Sequence, residues 1–172
     1  MKAGFPAGFF IIFAFDMAKE EKVCWFAAIT RSGQWKKIDR RLEELGVGHY
    51  IPYCYRTLVF LHTTKPTALT LVNSGEVKGR FLIDHHTHSL LEVPDKQMDD
   101  FMRILDLSPD AECLTDVRLN KGDRVRVVKG PLSGVEGDIV EVHGSLYLVV
   151  SVLSLLSARV EIPRSYVVPA KG

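Results

Sequence analysis

The stretch that most constrains this chain is Lys121-Gly122-Asp123-Arg124-Val125-Arg126-Val127-Val128-Lys129-Gly130-Pro131-Leu132-Ser133-Gly134-Val135-Glu136-Gly137-Asp138-Ile139-Val140-Glu141-Val142. It pairs two runs rich in β-branched residues, whose Val125, Val127 and Ile139 are expected to face one core. Gly130-Pro131 and Gly134 predict a tight loop between the runs. Gly137 predicts a bend inside the second run that needs glycine's backbone freedom. Two strands cannot bury their apolar face alone, so later strands must complete the layer. Suitable runs follow. Strands are predicted over Arg124 to Lys129, Val135 to Val142, Leu146 to Leu153, Ala158 to Ile162 and Ser165 to Val168. Short strands at this spacing predict a small all-β barrel over 121–169.

The chain upstream has a different period. Val23-Cys24-Trp25-Phe26-Ala27-Ala28-Ile29 is a continuous apolar run, as expected of a strand buried on both faces. A helix is predicted next over 33–45, with Ser32 as N-cap, Trp35, Ile38, Leu42 and Leu45 on one face, and Gly46 beyond its end. His49 to Tyr55 reads as an aromatic strand that Pro52 confines to an edge or a bulge. Leu58-Val59-Phe60-Leu61 reads as a buried strand, and Thr67 to Asn73 as a short helix. Arg80 to Asp84 and Leu90 to Val93 read as two strands joined by a polar turn over His85 to Ser89. Asp95 is expected to cap a second amphipathic helix carrying Met98, Phe101, Met102 and Leu105 on one face. Periodicity then stops over 108–120, which predicts a linker. The expected organisation is an extension over 1–22, an α+β domain over 23–107, the linker and the barrel.

Composition limits the function classes. The 172 residues are 47% hydrophobic and 25% charged, with a formal net charge of +1, which fits a globular chain. A protein bound to nucleic acid mainly by phosphate neutralisation would be strongly basic. A protein partner is therefore the first expectation, with nucleic acid left to a local patch. Cys24, Cys54 and Cys113 are odd in number and form no CxxC pair, so they are expected to be reduced, buried thiols in a cytosolic chain. The apolar run Phe9 to Phe15 is too short to span a bilayer and lacks a cleavage site, so no membrane role is expected.

The segment 121–142 closely resembles the KOW motif, with Gly130, Gly134 and Gly137 at its glycines. Trp25-Phe26, the helix at 33–45, Tyr50-Ile51-Pro52 and Leu58-Val59-Phe60 resemble the amino-terminal domain of NusG-type transcription elongation factors. Val93-Pro94-Asp95-Lys96-Gln97-Met98 is similar to the segment before that domain's closing helix. Val93 to Arg103 and Ala158 to Val168 look most like the UpxY-type antiterminators of capsular polysaccharide operons. The resemblance covers about 23–169. It implies a NusG N-terminal-like sheet with flanking helices, then an SH3-like KOW barrel, with no enzymatic activity and no cofactor. The sequence departs from the family in one place. Only Arg56-Thr57 separates Tyr55 from Leu58, where relatives carry a basic hairpin and a further strand.

The resemblance implies that Trp25, Phe26, Tyr50, Tyr53, Tyr55 and Phe60 grip the clamp helices of the largest RNA polymerase subunit. It also implies that the barrel recruits ribosomal protein NusE or the Rho factor. Each aromatic residue also fits a plain core role. Arg31, Lys36, Lys37, Arg40 and Arg41 form either the solvated face of a helix or a contact with DNA, diluted by Asp39, Glu43 and Glu44. Asp84-His85-His86-Thr87-His88 invites a metal reading, but neither HExxH nor a Cys/His array accompanies it, and a polar hairpin turn is expected. Gly130-Pro131-Leu132-Ser133-Gly134 lacks a phosphate loop's lysine and helix. Two rival readings are a KOW-type RNA-binding or ribosome-associated protein and a NusG paralogue disabled by its trimmed sheet. Residues 121–172 carry seven Lys/Arg against five Asp/Glu, a difference of +2, which disfavours the first rival.

Overall fold

The computed structural model describes residues 22–115 and 122–170. The expected extension, apart from Lys22, and the linker positions 116–120 lie outside the described residues. The described residues form two compact units. One runs to Ile51 and resumes over Arg56–Glu92; the other holds Pro52–Tyr55 and the chain from Val93 onward.

The first unit is built on β1 (Val23–Thr30). The run from Cys24 to Ala28 is buried throughout, because both faces of this strand are covered. Its companions are α1 (Trp35–Glu44), β2 (Gly48–Tyr50), β3 (Leu58–Thr64), α2 (Lys65–Asn73) and β4 (Gly79–Phe81). The sheet order is β2-β3-β1-β4. β1 and β3 pair antiparallel with Phe26 opposite Leu61 and Ala27 opposite Phe60, and β4 adds to β1 with Ile29 opposite Arg80. Ile38 and Leu42 of α1 pack with Val59 and Leu61 of β3 and with Leu71 and Val77. A second cluster joins Cys24, Phe26, Ala68 and Leu90.

Local chemistry moves several expected boundaries. Ser32 does not cap α1. Gly33 turns through φ +79°, and the helix starts after Gln34 with no side-chain cap. Leu45, expected on the buried face, lies past the last helical residue and is 42% exposed. α2 begins at Lys65 rather than Thr67, because proline is tolerated in a first turn and Thr64 supplies the cap. The aromatic strand ends at Tyr50. Pro52 offers no N–H to a ladder, and its carbonyl accepts the Tyr55 N–H at 3.1 Å in a turn. The two strands expected over 80–93 are broken into β4, β5 (Ile83–Asp84), β6 (Ser89–Leu90) and β7 (Glu92–Val93), with β5 and β6 pairing as a separate hairpin.

The second unit contains α3 (Asp95–Leu107), β8 (Glu112–Leu114), β9 (Arg124–Val127), β10 (Glu136–Val142), β11 (Ser145–Val152), β12 (Leu156–Glu161) and β13 (Val167–Pro169). Its six strands run β13-β9-β10-β11-β12-β8, all neighbours antiparallel. Val125 and Val127 are buried as expected, while Ile139 is half-buried. Asp95 stands in the first turn of α3, after Pro94 in the cap position.

The division expected at 107 and 121 is corrected on two counts. First, α3 belongs with the sheet: Met98, Phe101, Ile104 and Leu105 are buried, and the helix packs on β11 and β12. Second, Glu112–Leu114, placed in the expected linker, pair with β12 as an edge strand. The expectation of three reduced thiols is corrected as well. Cys54 and Cys113 form a disulfide with Cα atoms 6.1 Å apart across 59 positions of sequence, a normal Cα spacing for the bond. Nothing in the local sequence marks such a pairing, because it arises from tertiary placement.

Gly130 and Gly134 adopt φ +77° and +91°, the left-handed conformation the loop requires. Gly137 is needed for a different reason from the one expected. Its φ is not positive; a Cβ there would lie 2.5 Å from the Val149 carbonyl oxygen and 3.0 Å from Leu148 and Val150 side-chain carbons. The requirement is close approach of β10 to β11.

Candidate interaction surfaces

The six aromatic candidates divide by burial. Phe26 and Phe60 are 1% and 0% exposed and form core, since β1 and β3 are covered on both faces. Trp25 is buried too; its ring stacks on His62, its cross-strand neighbour, with centroids 4.5 Å apart and planes 19° from parallel. Tyr50 ends β2 opposite Phe60 and is half-buried. Tyr53 and Tyr55 lie in the turn after β2, which groups with the second unit, and are 50% and 39% exposed. The Tyr53 hydroxyl donates to the Ala111 carbonyl at 3.3 Å. The aromatic strand expected over His49 to Tyr55 therefore stops before two of its tyrosines.

The basic candidates also divide. Arg41 donates to Glu76 from Nε and Nη2 at 2.6 and 2.9 Å and to Glu44 from Nη1 at 3.0 Å. These carboxylates raise its already high pKa further, and Arg41 in turn holds Glu76 below the ordinary carboxylate range. Lys36 lies over the Trp35 ring at 5.5 Å, and Arg56 covers the same ring at 4.4 Å. Lys37 and Arg40 line a shallow cleft whose wall also includes Glu44 and Glu76.

Arg31 is in a different setting. A cleft of about 600 Å³ is lined by Ile29, Thr30, Arg31, Gln34, Lys78, Gly79 and Arg80. Three of these residues are cationic and none is acidic. Among the described residues Arg31, Lys78 and Arg80 enter no ion pair. Sequence reading missed Lys78 and Arg80 because they are far from α1 along the chain; the pairing of β4 with β1 brings them to Arg31. Gly79 allows that pairing, since a Cβ there would lie 2.5 Å from the Ile29 carbonyl oxygen.

The histidine-rich segment forms a turn. Asp84 Oδ1 accepts the backbone N–H groups of His86 at 2.7 Å and Thr87 at 3.3 Å, which lowers the Asp84 pKa. No group of three or more metal-ligating side chains is assembled among the described residues. Nor is any helix among them long and apolar enough to cross a membrane.

No family model matches the chain, and no curated protein matches it. Among solved structures, the MjSpt4:Spt5 complex in conformation B is similar at 16% identity over 86% of this chain and 97% of that one, with a TM-score of 0.32. Conformation A is similar at 17% identity over 85% and 97%, again with a TM-score of 0.32. A score this low carries neither fold nor function, which rest on the chain's own residues.

Proposed function

We propose that this chain is a non-catalytic transcription elongation factor of the NusG type, acting in the cytoplasm by binding. One observation carries the reading. The glycine-punctuated segment that resembles a KOW motif folds as β9 and β10 of an antiparallel sheet, in a chain whose earlier part forms a separate mixed α/β unit. The proposed partner is the clamp-helix region of the largest RNA polymerase subunit. Tyr53 and Tyr55 are the proposed anchors; Trp25, Phe26 and Phe60 are buried in the first unit and serve as its core. The second sheet is the proposed site for a further factor, NusE or Rho, and the UpxY-like phrasing points to antitermination. No cofactor or metal enters this mechanism. The test is retention of core RNA polymerase on the immobilised full chain, followed by elongation through a pause site with and without it. Failure to retain polymerase at moderate salt overturns the reading.

The cleft formed by the end of β1, the loop before α1 and the start of β4 favours a second contact. Arg31, Lys78 and Arg80 form a cationic recess without a lining carboxylate, suited to the phosphates of DNA beside the polymerase. The same residues would serve an RNA-binding protein. Oligonucleotide binding in the absence of polymerase retention would favour that alternative.

A further inference from the structure

We propose that Cys54 and Cys113 form a thiol–disulfide switch: the oxidised pair holds the Tyr53–Tyr55 turn against β8, and the reduced pair releases it. Cys113 is the middle residue of β8, opposite Ala158 of β12, on a three-residue strand at the edge of its sheet. Cys54 lies in the exposed turn after β2. Their bond closes a span of 59 positions, so it fixes two segments that sequence separation would otherwise let drift. The Tyr53–Ala111 hydrogen bond beside it is long and solvent-exposed, a weak tie by comparison.

Accessibility makes this bond a candidate for exchange. Exposed disulfides are the reducible, regulatory ones, and in reducing compartments disulfides tend to be transient and redox-sensing. The Cys54 sulfur, on an exposed residue, is the open point of attack. A small-molecule thiolate would bond to it, the sulfur–sulfur bond would break, and the electron pair would leave on Cys113, which takes a proton from water. A second small thiolate then attacks the small-molecule sulfur of the mixed disulfide, freeing Cys54 as a thiol. The sum is one protein disulfide and two small thiols giving two protein thiols and one small disulfide. Oxidised glutathione would run the sequence in reverse. Cys24 is buried within β1, out of reach of such reagents.

The switch stands independently of the polymerase reading; where that reading holds, it controls how the two proposed anchors are presented. The test uses the full chain, equilibrated natively with oxidised glutathione or with dithiothreitol. Iodoacetamide labelling, intact mass and backbone hydrogen exchange are the readouts. Oxidised protein is expected to show Cys54 and Cys113 unlabelled. Reduction should add the mass of two hydrogens and open both residues to labelling, with Cys24 still protected. Exchange over 53–57 and 112–115 should then quicken by about tenfold or more while β10 and β11 hold. Cys54→Ser should show the fast exchange under both conditions. Three results overturn the proposal: no bond after oxidation, a bond that resists dithiothreitol without denaturant, or exchange unchanged by reduction. If Cys54→Ser fails to fold, the reduced wild-type chain still decides.

Discussion

Arg41 holds Glu76 through two parallel hydrogen bonds, Nε to Oε2 at 2.6 Å and Nη2 to Oε1 at 2.9 Å, across 35 positions of sequence. A guanidinium engaged on both edges of a carboxylate, with a third bond to Glu44, has little capacity left for a phosphate. The basic face of α1 is therefore not uniform. Arg41 is structural, whereas Arg31, with Lys78 and Arg80, lines a cleft that holds no acidic residue.

That division predicts a mutational contrast. Arg80→Glu or Lys78→Glu should weaken binding of the full chain to a short single-stranded oligonucleotide. Removing one phosphate contact should lower the slope of log affinity against log salt by roughly one. Arg41→Ala should leave that slope unchanged. Fluorescence anisotropy at several salt concentrations reads both, and an equal response of all three variants would remove the distinction.

Acid sensitivity should concentrate on two carboxylates. Glu76 is lowered from its ordinary 4.5 by its hydrogen bonds from Arg41. Glu136 is lowered by its hydrogen bonds from Arg126, with weaker help from the Lys96 and Arg124 charges. Because the folded values lie below the unfolded ones, their contribution is fully present above the ordinary value and is lost as pH falls through the depressed one. Melting temperature should therefore decline with acidification from about 4.5 downward. Glu136→Gln should flatten that decline; melting curves of equal slope in variant and wild type would contradict the assignment.

Asp100 is a buried carboxylate of the second unit, 2% exposed. It accepts Lys96 Nζ at 2.6 and 2.7 Å and the Glu136 backbone N–H at 3.1 Å, while Lys96 also reaches the Gly134 carbonyl at 2.9 Å. Lys96→Met would strand that carboxylate, so it should cost about 1–3 kcal/mol, more than an exposed ion pair is worth. Adding Asp100→Asn should recover part of the loss. Urea denaturation of the two variants checks this, and a loss that simply adds would refute the coupling.

Gly137→Ala should destabilise the second unit by about 1–3 kcal/mol, because β10 or β11 must shift to admit the methyl group. Gly144→Ala is the control: its φ of +84° gives strain, but no atom lies within 4 Å of the added carbon. Loss of the hydrogen-exchange protection shared by β10 and β11 in the Gly137 variant alone would show that close approach, not backbone freedom, sets the requirement.

Tyr53→Ala and Tyr55→Ala should each weaken polymerase retention by about 1–3 kcal/mol and cost less folding stability than truncating a core aromatic, since the two residues are 50% and 39% exposed. Phe60→Ala should instead cost about 3–5 kcal/mol of folding stability. Unchanged retention in both tyrosine variants would remove them from the proposed interface.

Elements whose cause is local could be read from the sequence. The double-sided burial of β1, the burial of Ile38 and Leu42 in α1 and of Met98, Phe101 and Leu105 in α3, and the tight loop at Gly130 and Gly134 follow from residue type and spacing. What could not be read depends on long-range placement. Nothing near Cys54 points to Cys113. Lys78 and Arg80 join Arg31 only through the β1–β4 register. α3 looked like the close of the first domain because its amphipathic pattern says that it needs a partner, not which one. Its polar residues decide that: Gln97 accepts the Leu153 N–H at 2.8 Å, and Arg103 Nη2 donates to the Pro131 and Ser133 carbonyls at 2.9 Å. The loop that Gly130 and Gly134 shape is thus held from outside, by a helix that precedes it in the chain.

The sheet of the second unit ends on both sides in strands of three residues, β13 and β8. Pro169 closes β13 without an N–H to offer, and Glu112 of β8 is engaged by Arg159 at 2.6 Å. Such edges give a neighbouring molecule little to pair with. Behind β8 lies β12, six residues long, with Leu156, Ser157 and Ala158 fully buried. If β8 were lost, that strand would become a template for intermolecular pairing and aggregation. A strand of three residues therefore covers an edge of β12 that would otherwise stand open to another molecule.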